Sequence, residues 1–128
     1  MEFNKLIQWN INGYFNNLPM LQIILSEQNP DFVCLQETNF KPNQNIILRN
    51  YVCHNQIRLN QNIASGGVSI LINNSYDSIR IPLNTNLEAI AVTVIGKTNI
   101  NICNIYLPPG AVISRNELED LFKQIPTL

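Results

Sequence analysis

Four polar residues stand where apolar segments of this sequence run out, and their types suit work on a phosphate or a cation. Asn10 and Asn12 lie at and just beyond the end of the first apolar stretch, in IQWNING. A side-chain amide there can donate to a phosphate or orient a metal-bound water. The same residues also suit a plain turn at Asn12-Gly13, with Asn10 satisfying nearby backbone. Glu37 ends the apolar run of VCLQET. Mg²⁺ is commonly held by one or two carboxylates, waters and substrate oxygens, so a single glutamate can begin such a site; a solvated glutamate at a loop entry is the plainer reading. Tyr106 closes NICNIY and precedes Leu107-Pro108-Pro109-Gly110, a stiff turn that would fix the direction of its phenol. Packing at a sheet end would also account for it. Ser65-Gly66-Gly67 serves either a close backbone approach or a tight turn.

These residues need elements to hold them. The pattern predicts a strand over Lys5 to Asn10, with Trp9 in the core, and a helix from about Leu18 to Gln28 with Asn17 as N-cap. Asn29-Pro30 stops that helix. Phe32 to Gln36 is apolar up to its last residue, which marks a strand covered on both faces and completes a β-α-β unit. Glu37 then falls at a strand's carboxyl end, where α/β sheets tend to place their sites.

Further strands are predicted at Tyr51 to His54, Val68 to Ile72, Leu87 to Ile95 and Ile100 to Tyr106. Lys97-Thr98-Asn99 suggests a hairpin between the last two, so the sheet is mixed. Asn39 to Asn45 and Leu59 to Ser65 read as surface loops. Ser114 and Glu117 form a capping box, with Ile113 and Leu118 as its hydrophobic staple. Leu118, Leu121, Phe122 and Ile125 then share a helical face that must dock on apolar surface, until Pro126 ends the helix.

Bulk properties narrow the function classes. At 128 residues and 13% charged side chains the chain is one globular unit or part of one. No apolar run reaches the roughly 20 residues of a membrane span, and Met1-Glu2-Phe3-Asn4 does not open a signal peptide, so no membrane role and an intracellular location, nuclear or cytoplasmic, are expected. Cys34, Cys53 and Cys103 are scattered singly and read as buried thiols. With one histidine, His54, a zinc site is almost excluded, and any metal would be a hard, oxygen-bound ion. A net charge of −1 argues against a stand-alone nucleic-acid binding module.

Taken in order, strand-WNING, helix, NPDFVCLQET, SGGVSILI, NIYLPPG and the capped helix form a long coincidence. Over essentially the whole chain the sequence resembles the endonuclease/exonuclease/phosphatase superfamily. Within it the sequence is most similar to the apurinic-endonuclease-like domain at the N-terminus of non-LTR retrotransposon polyproteins. The resemblance implies an α/β fold, a four-layer sandwich of two sheets with helices outside, of which this chain supplies most of one sheet plus a partner strand or two. An inner face left without cover would then favour self-association.

The resemblance also implies roles. Asn10 would help bind the scissile phosphate of a DNA substrate, Glu37 would bind Mg²⁺ or Mn²⁺, and Tyr106 would orient the phosphate. Asn12 stands at a position that is Asp in some branches, and Arg58 lies in a stretch often basic in relatives; both are candidate substrate contacts. The family's later Gly-Asp-Phe-Asn and Ser-Asp-His motifs do not occur in the 128 residues. The expectation is therefore a DNA-nicking endonuclease domain that is catalytically incomplete as this chain. Two alternatives stand beside it: a non-catalytic remnant or interaction domain, and a phosphatase acting on lipid or nucleotide phosphoesters.

Overall fold

A computed structural model of the protein describes residues 5–58 and 65–127. Among these the element order is β1 (Leu6–Asn10), α1 (Tyr14–Gln28), β2 (Phe32–Gln36), β3 (Tyr51–Gln56), β4 (Val68–Asn73), β5 (Asp77–Ile81), β6 (Glu88–Ile95), β7 (Ile100–Tyr106) and α2 (Arg115–Lys123). The strands form two sheets, ordered β1-β2-β4-β3 and β5-β6-β7. Only β1 and β2 run parallel, joined by α1 in the expected β-α-β unit. All other pairs are antiparallel, including the β6–β7 hairpin.

The two sheets face each other over one core and α1 covers a second. Phe32, Val68, Ile70 and Ile72 of the first sheet meet Ile90, Val92, Val94 and Ile102 of the second. Alternate residues of the same strands, Val33, Leu35 and Leu71, point the other way and pack with Ile11, Tyr14, Leu21 and Leu25. Strand periodicity thus feeds both cores at once, which is why all five residues of β2 are buried. On the far side, Leu121 of α2 is fully buried, Gln124 exchanges hydrogen bonds with the backbone of Asn84, and Asn101 donates to the carbonyl of Pro126. Helix, sheet, sheet and helix make the four layers that the resemblance implied.

Several expectations change. α1 begins at Tyr14 rather than near Leu18, and its N-cap is Gly13, with φ of 105°. The reason lies in the backbone: Gly13 and Tyr14 donate to the carbonyls of Glu37 and Thr38, which carries the chain straight from β1 onto the helix. Asn17 therefore sits inside the first turn, and its amide donates back to the carbonyls of Ile11, at 2.8 Å, and Asn12. Strand β5 was not foreseen; its DSIRI sequence mixes polar and apolar residues in the manner of an edge strand.

The capping box at Ser114 and Glu117 is present as expected, but α2 ends at Lys123, before Pro126. Leu121 is the buried anchor of its face, whereas Phe122 remains 54% exposed. The polar stretch expected as a loop from Leu59 to Ser65 lies, apart from Ser65, outside the described residues.

The expected bare inner face is also corrected. The second sheet covers the inner side of β2 and β4, while between β1 and β7 the sheets leave a groove of about 670 Å³ bordered by Leu6, Gln8, Cys34, Cys103 and Phe122. The three cysteines are unpaired, and burial pushes the Cys34 and Cys53 thiols up to about 11, leaving them protonated and inert at neutral pH.

Where the sheets meet near β7 the core is polar. The Gln36 amide donates to Asn104 Oδ1 at 2.8 Å, and the Asn104 amide donates at 2.9 Å to the carbonyls of both Leu35 and Ser69. Gln8 of β1 donates in turn to Gln36. A buried amide that satisfies two strand carbonyls and a second amide ties the sheets in a single register. Asn104→Ala leaves those groups unpaired and is expected to cost roughly 2–3 kcal/mol in urea unfolding; a loss below about 0.5 kcal/mol would show that the tie is dispensable.

Candidate active site at the strand ends

Asn10, Glu37 and Tyr106 converge, although they are 27 and 69 positions apart in sequence. Asn10 is the last residue of β1, Tyr106 the last of β7, and Glu37 the first beyond β2. Parallel pairing of β1 with β2 brings the first two ends together, and the buried Gln36–Asn104 bond brings β7 alongside. The Asn10 amide donates to Glu37 Oε2 at 3.0 Å, and the Tyr106 hydroxyl donates to the same oxygen. Glu37 Oε1 accepts no hydrogen bond from the described residues, so half of the carboxylate is held and half is available.

Glu37 occupies this place in an uncommon conformation. Its φ is 51°, and Asn12 and Asn39 on either side of the site also have positive φ, at 49° and 59°. Left-handed backbone at a residue with a side chain costs of order 1 kcal/mol or more and persists only where neighbours enforce it. Here they do so from two sides. Gly13 and Tyr14 donate to the Glu37 and Thr38 carbonyls, while Thr38 and Asn39 donate to the carbonyls of Gly67 and Gly66.

Both glycines are needed as glycines. A Cβ on Gly67 would lie 2.8 Å from Thr38 Oγ1 and one on Gly66 would lie 2.3 Å from the Arg58 guanidinium. The Gly66-Gly67 segment is thus a close approach of backbone to residues 38 and 39. The Thr38 hydroxyl is itself buried without a partner among the described residues.

A second carboxylate, Glu88, fixes this arrangement from the other sheet. It takes a hydrogen bond from Gly67 N–H and an ion pair from Arg58 at 2.8 Å, and it lies directly opposite Tyr106 in the β6–β7 register. The sequence reading missed it. The signal was available: Glu88 is the only charged residue of LEAIAVTVI, at the head of an otherwise apolar strand. Arg58 is therefore beside the site, but committed to Glu88. Asn12 stands in the turn after β1, and its side chain bonds to none of the described residues.

The electrostatics follow from these contacts. The Tyr106 hydroxyl, then the Asn10 amide, hold the Glu37 carboxyl below the usual glutamate range, and Arg58 adds to this. Tyr106 moves the opposite way, first because its proton is bonded to Glu37, and then through burial and the charges of Glu37 and Glu88. At neutral pH the pair is a carboxylate and an intact phenol. Among the described residues no group of three or more His, Cys, Asp or Glu could share a metal ion. The free donors here, Glu37 Oε1 and the Asn10 carbonyl oxygen, are hard oxygens, which fits Mg²⁺ or Mn²⁺ completed by water and substrate, and not zinc.

The two-sheet sandwich with helices outside is the fold that the resemblance led one to expect. The Endonuclease/Exonuclease/phosphatase family profile matches residues 7–124, and the chain belongs to that family. No curated protein matches it significantly. Among solved structures, it is similar to the endonuclease domain of TRAS1, a telomere-specific non-LTR retrotransposon, with 18% identity and a TM-score of 0.70 over 91% of this chain and 52% of that one.

It is also similar to the 3′ phosphatase NExo from Neisseria bound to a product DNA hairpin, with 20% identity and a TM-score of 0.59 over 92% and 47%. An AP endonuclease from Archaeoglobus fulgidus shares 19% identity with a TM-score of 0.59 over 91% and 46%. At these identities the likeness concerns the fold. The chain spans about half the length of each of these structures. No helix among the described residues is long and apolar enough to cross a membrane.

The Tyr106–Glu37 bond carries a pH consequence. A carboxyl whose folded pKa is depressed stabilises the fold above its unfolded pKa, near about 4.3, and that contribution is lost as pH falls through the folded value. Tyr106→Phe removes the largest cause of the depression, so the Glu37 titration is expected to move up toward the ordinary range. Carboxyl-detected NMR titration reads this directly; an unchanged Glu37 midpoint in the variant would show that the phenol does not set it.

Proposed function

We propose that this chain is the part of a metal-dependent phosphodiesterase that holds the metal and the scissile phosphate, and that its substrate is DNA. The observation that carries the proposal is the half-held carboxylate: Asn10 and Tyr106 bond one oxygen of Glu37, and the other accepts no hydrogen bond from the described residues. Glu37 Oε1, assisted by the Asn10 carbonyl oxygen, would hold Mg²⁺ or Mn²⁺. Bound there, the ion supplies positive charge to a phosphate oxygen as negative charge builds on it. The Asn10 amide has a second N–H for the phosphate, and Tyr106, whose single proton is bonded to Glu37, would orient the phosphate by passing that hydrogen bond to it once a cation occupies Glu37, with Asn12 and Arg58 as candidate further contacts. Preorganised donors of this kind act where charge develops in the transition state.

DNA is favoured over a lipid or nucleotide ester by the motif order from WNING to NIYLPPG, which resembles the retrotransposon endonucleases; a retrotransposon-type polyprotein is the setting we propose. The similar Neisseria enzyme is described with a DNA hairpin product. The 128 residues include neither Gly-Asp-Phe-Asn nor Ser-Asp-His. In the family those groups orient the attacking water, and losing each such group typically costs at least ~10²-fold. The isolated chain is therefore proposed to hydrolyse at close to the background rate. A non-catalytic interaction role is the second reading, favoured by the solitary metal-binding carboxylate.

Supercoiled-plasmid nicking with Mg²⁺, with chelator and with Glu37→Ala is the direct test. The expected result is no nicking by the folded chain alone. Chelator-sensitive nicking that Glu37→Ala abolishes would overturn the incompleteness while supporting the site, and nicking indifferent to Glu37 would overturn the site assignment.

A further inference from the structure

Beside the Glu37 site, and separate from it, a cavity of about 600 Å³ opens between the end of β3 and the loop joining β5 to β6. Gln56, Arg58, Arg80, Leu83, Asn86 and Glu88 border it. Glu88 connects the two places, since it lines this cavity and lies opposite Tyr106 in the sheet.

The charges in the cavity do not cancel. Arg58 is paired with Glu88. Arg80 forms no ion pair with a carboxylate of the described residues; it donates instead to neutral acceptors, the Asn55 carbonyl at 2.8 Å and the Gln56 side-chain oxygen. A guanidinium carries five N–H donors. Two of Arg80's are spent anchoring it to β3, which fixes the group without neutralising it and leaves donors and a full positive charge beside the cavity. Of the charged residues bordering the cavity, Arg58 and Arg80 outnumber the one carboxylate, Glu88, so its lining carries a net positive charge.

An edge strand can present such a side chain because its neighbours do not cover it. The cavity is larger than a lone phosphate needs, and it combines the arginines and amides with apolar walls such as Leu83. That mixture suits a sugar-phosphate unit rather than a bare anion.

We propose that this cavity is a second phosphate subsite, in which Arg80 takes a backbone phosphate of a nucleic-acid strand whose scissile phosphate lies at Glu37. The inference rests on the reading of Glu37 as a phosphodiester site and adds where the strand runs: from Tyr106 across Glu88 toward β5. Arg58 bridges the two places but is tied to Glu88, so Arg80 is the residue whose removal reads out the subsite.

The test measures binding without cleavage. Fluorescence anisotropy of the full chain with a labelled single-stranded oligonucleotide, in chelator and over a salt series, is compared for the wild type, Arg80→Ala, Arg80→Gln, Arg80→Lys and the charge-matched surface variant Arg115→Ala. Arg80→Ala and Arg80→Gln are expected to weaken binding roughly 5-fold at low salt and to lower the slope of log affinity against log salt by about 0.7, the share of one phosphate contact. Arg80→Lys is expected to keep the slope, and Arg115→Ala to match the wild type. Two Arg80 substitutions guard against a fold-specific loss in either one.

An unchanged slope in both neutral variants overturns the proposal, as does an equal loss in Arg115→Ala. Inorganic phosphate binding as tightly as the oligonucleotide, with the same Arg80 dependence, would make this a site for a free anion and overturn the strand assignment. Because the readout uses no metal and no hydrolysis, its failure is distinguishable from a failure at Glu37.

Discussion

The carboxylate of Glu37 has to leave β2 in a left-handed turn to reach the strand ends, and most of the local structure keeps it there. Two sets of backbone hydrogen bonds grip residues 37–39, one from the start of α1 and one from the two glycines before β4. Of those glycines, Gly67 donates to Glu88, which Arg58 secures, and Gly66 donates to the Asn39 side chain. The strain at one residue is thus spread over contacts from the start of α1, the segments that follow β3 and precede β4, and β6. Tyr106 and Asn10 then need only modest hydrogen bonds to fix the side chain, because the backbone has already aimed it.

Holding that geometry requires the two sheets to keep one alignment, which non-directional apolar packing does not by itself fix. The Gln8–Gln36–Asn104 amides supply it at the end of the core nearest the site. Such a network stabilises only while every member is satisfied, which makes it a strong constraint on sequence and a weak source of net stability. It also accounts for the polar residue ending β2: Gln36 is buried, one position before Glu37, and serves the sheet interface while its neighbour serves the site.

Much of this was legible in the sequence where one physical rule dominates. The unbroken apolar run of Phe32 to Leu35 gave a doubly covered strand, Ser114 with Glu117 gave a helix start, and the polar ends of three strands gave the residues that meet. The start of α1 was not legible, because it is set by pairing with residues 37 and 38 rather than by a local cap at Asn17. Strand β5 was hidden by edge-strand composition. The convergence of Asn10 and Tyr106 on a single oxygen, and the part played by Glu88, depend on sheet register across long sequence separations, which spacing alone does not encode.

The central claim is that Glu37 Oε1 is a divalent-cation ligand. Paramagnetic broadening of backbone amide NMR signals on titration with Mn²⁺ tests it without requiring turnover. The account predicts broadening centred on the amides of residues 10–12, 37–39 and 106, lost in Glu37→Gln. Broadening that persists in that variant, or that centres instead on the acidic surface of α2 around Glu117, Glu119 and Asp120, would contradict it.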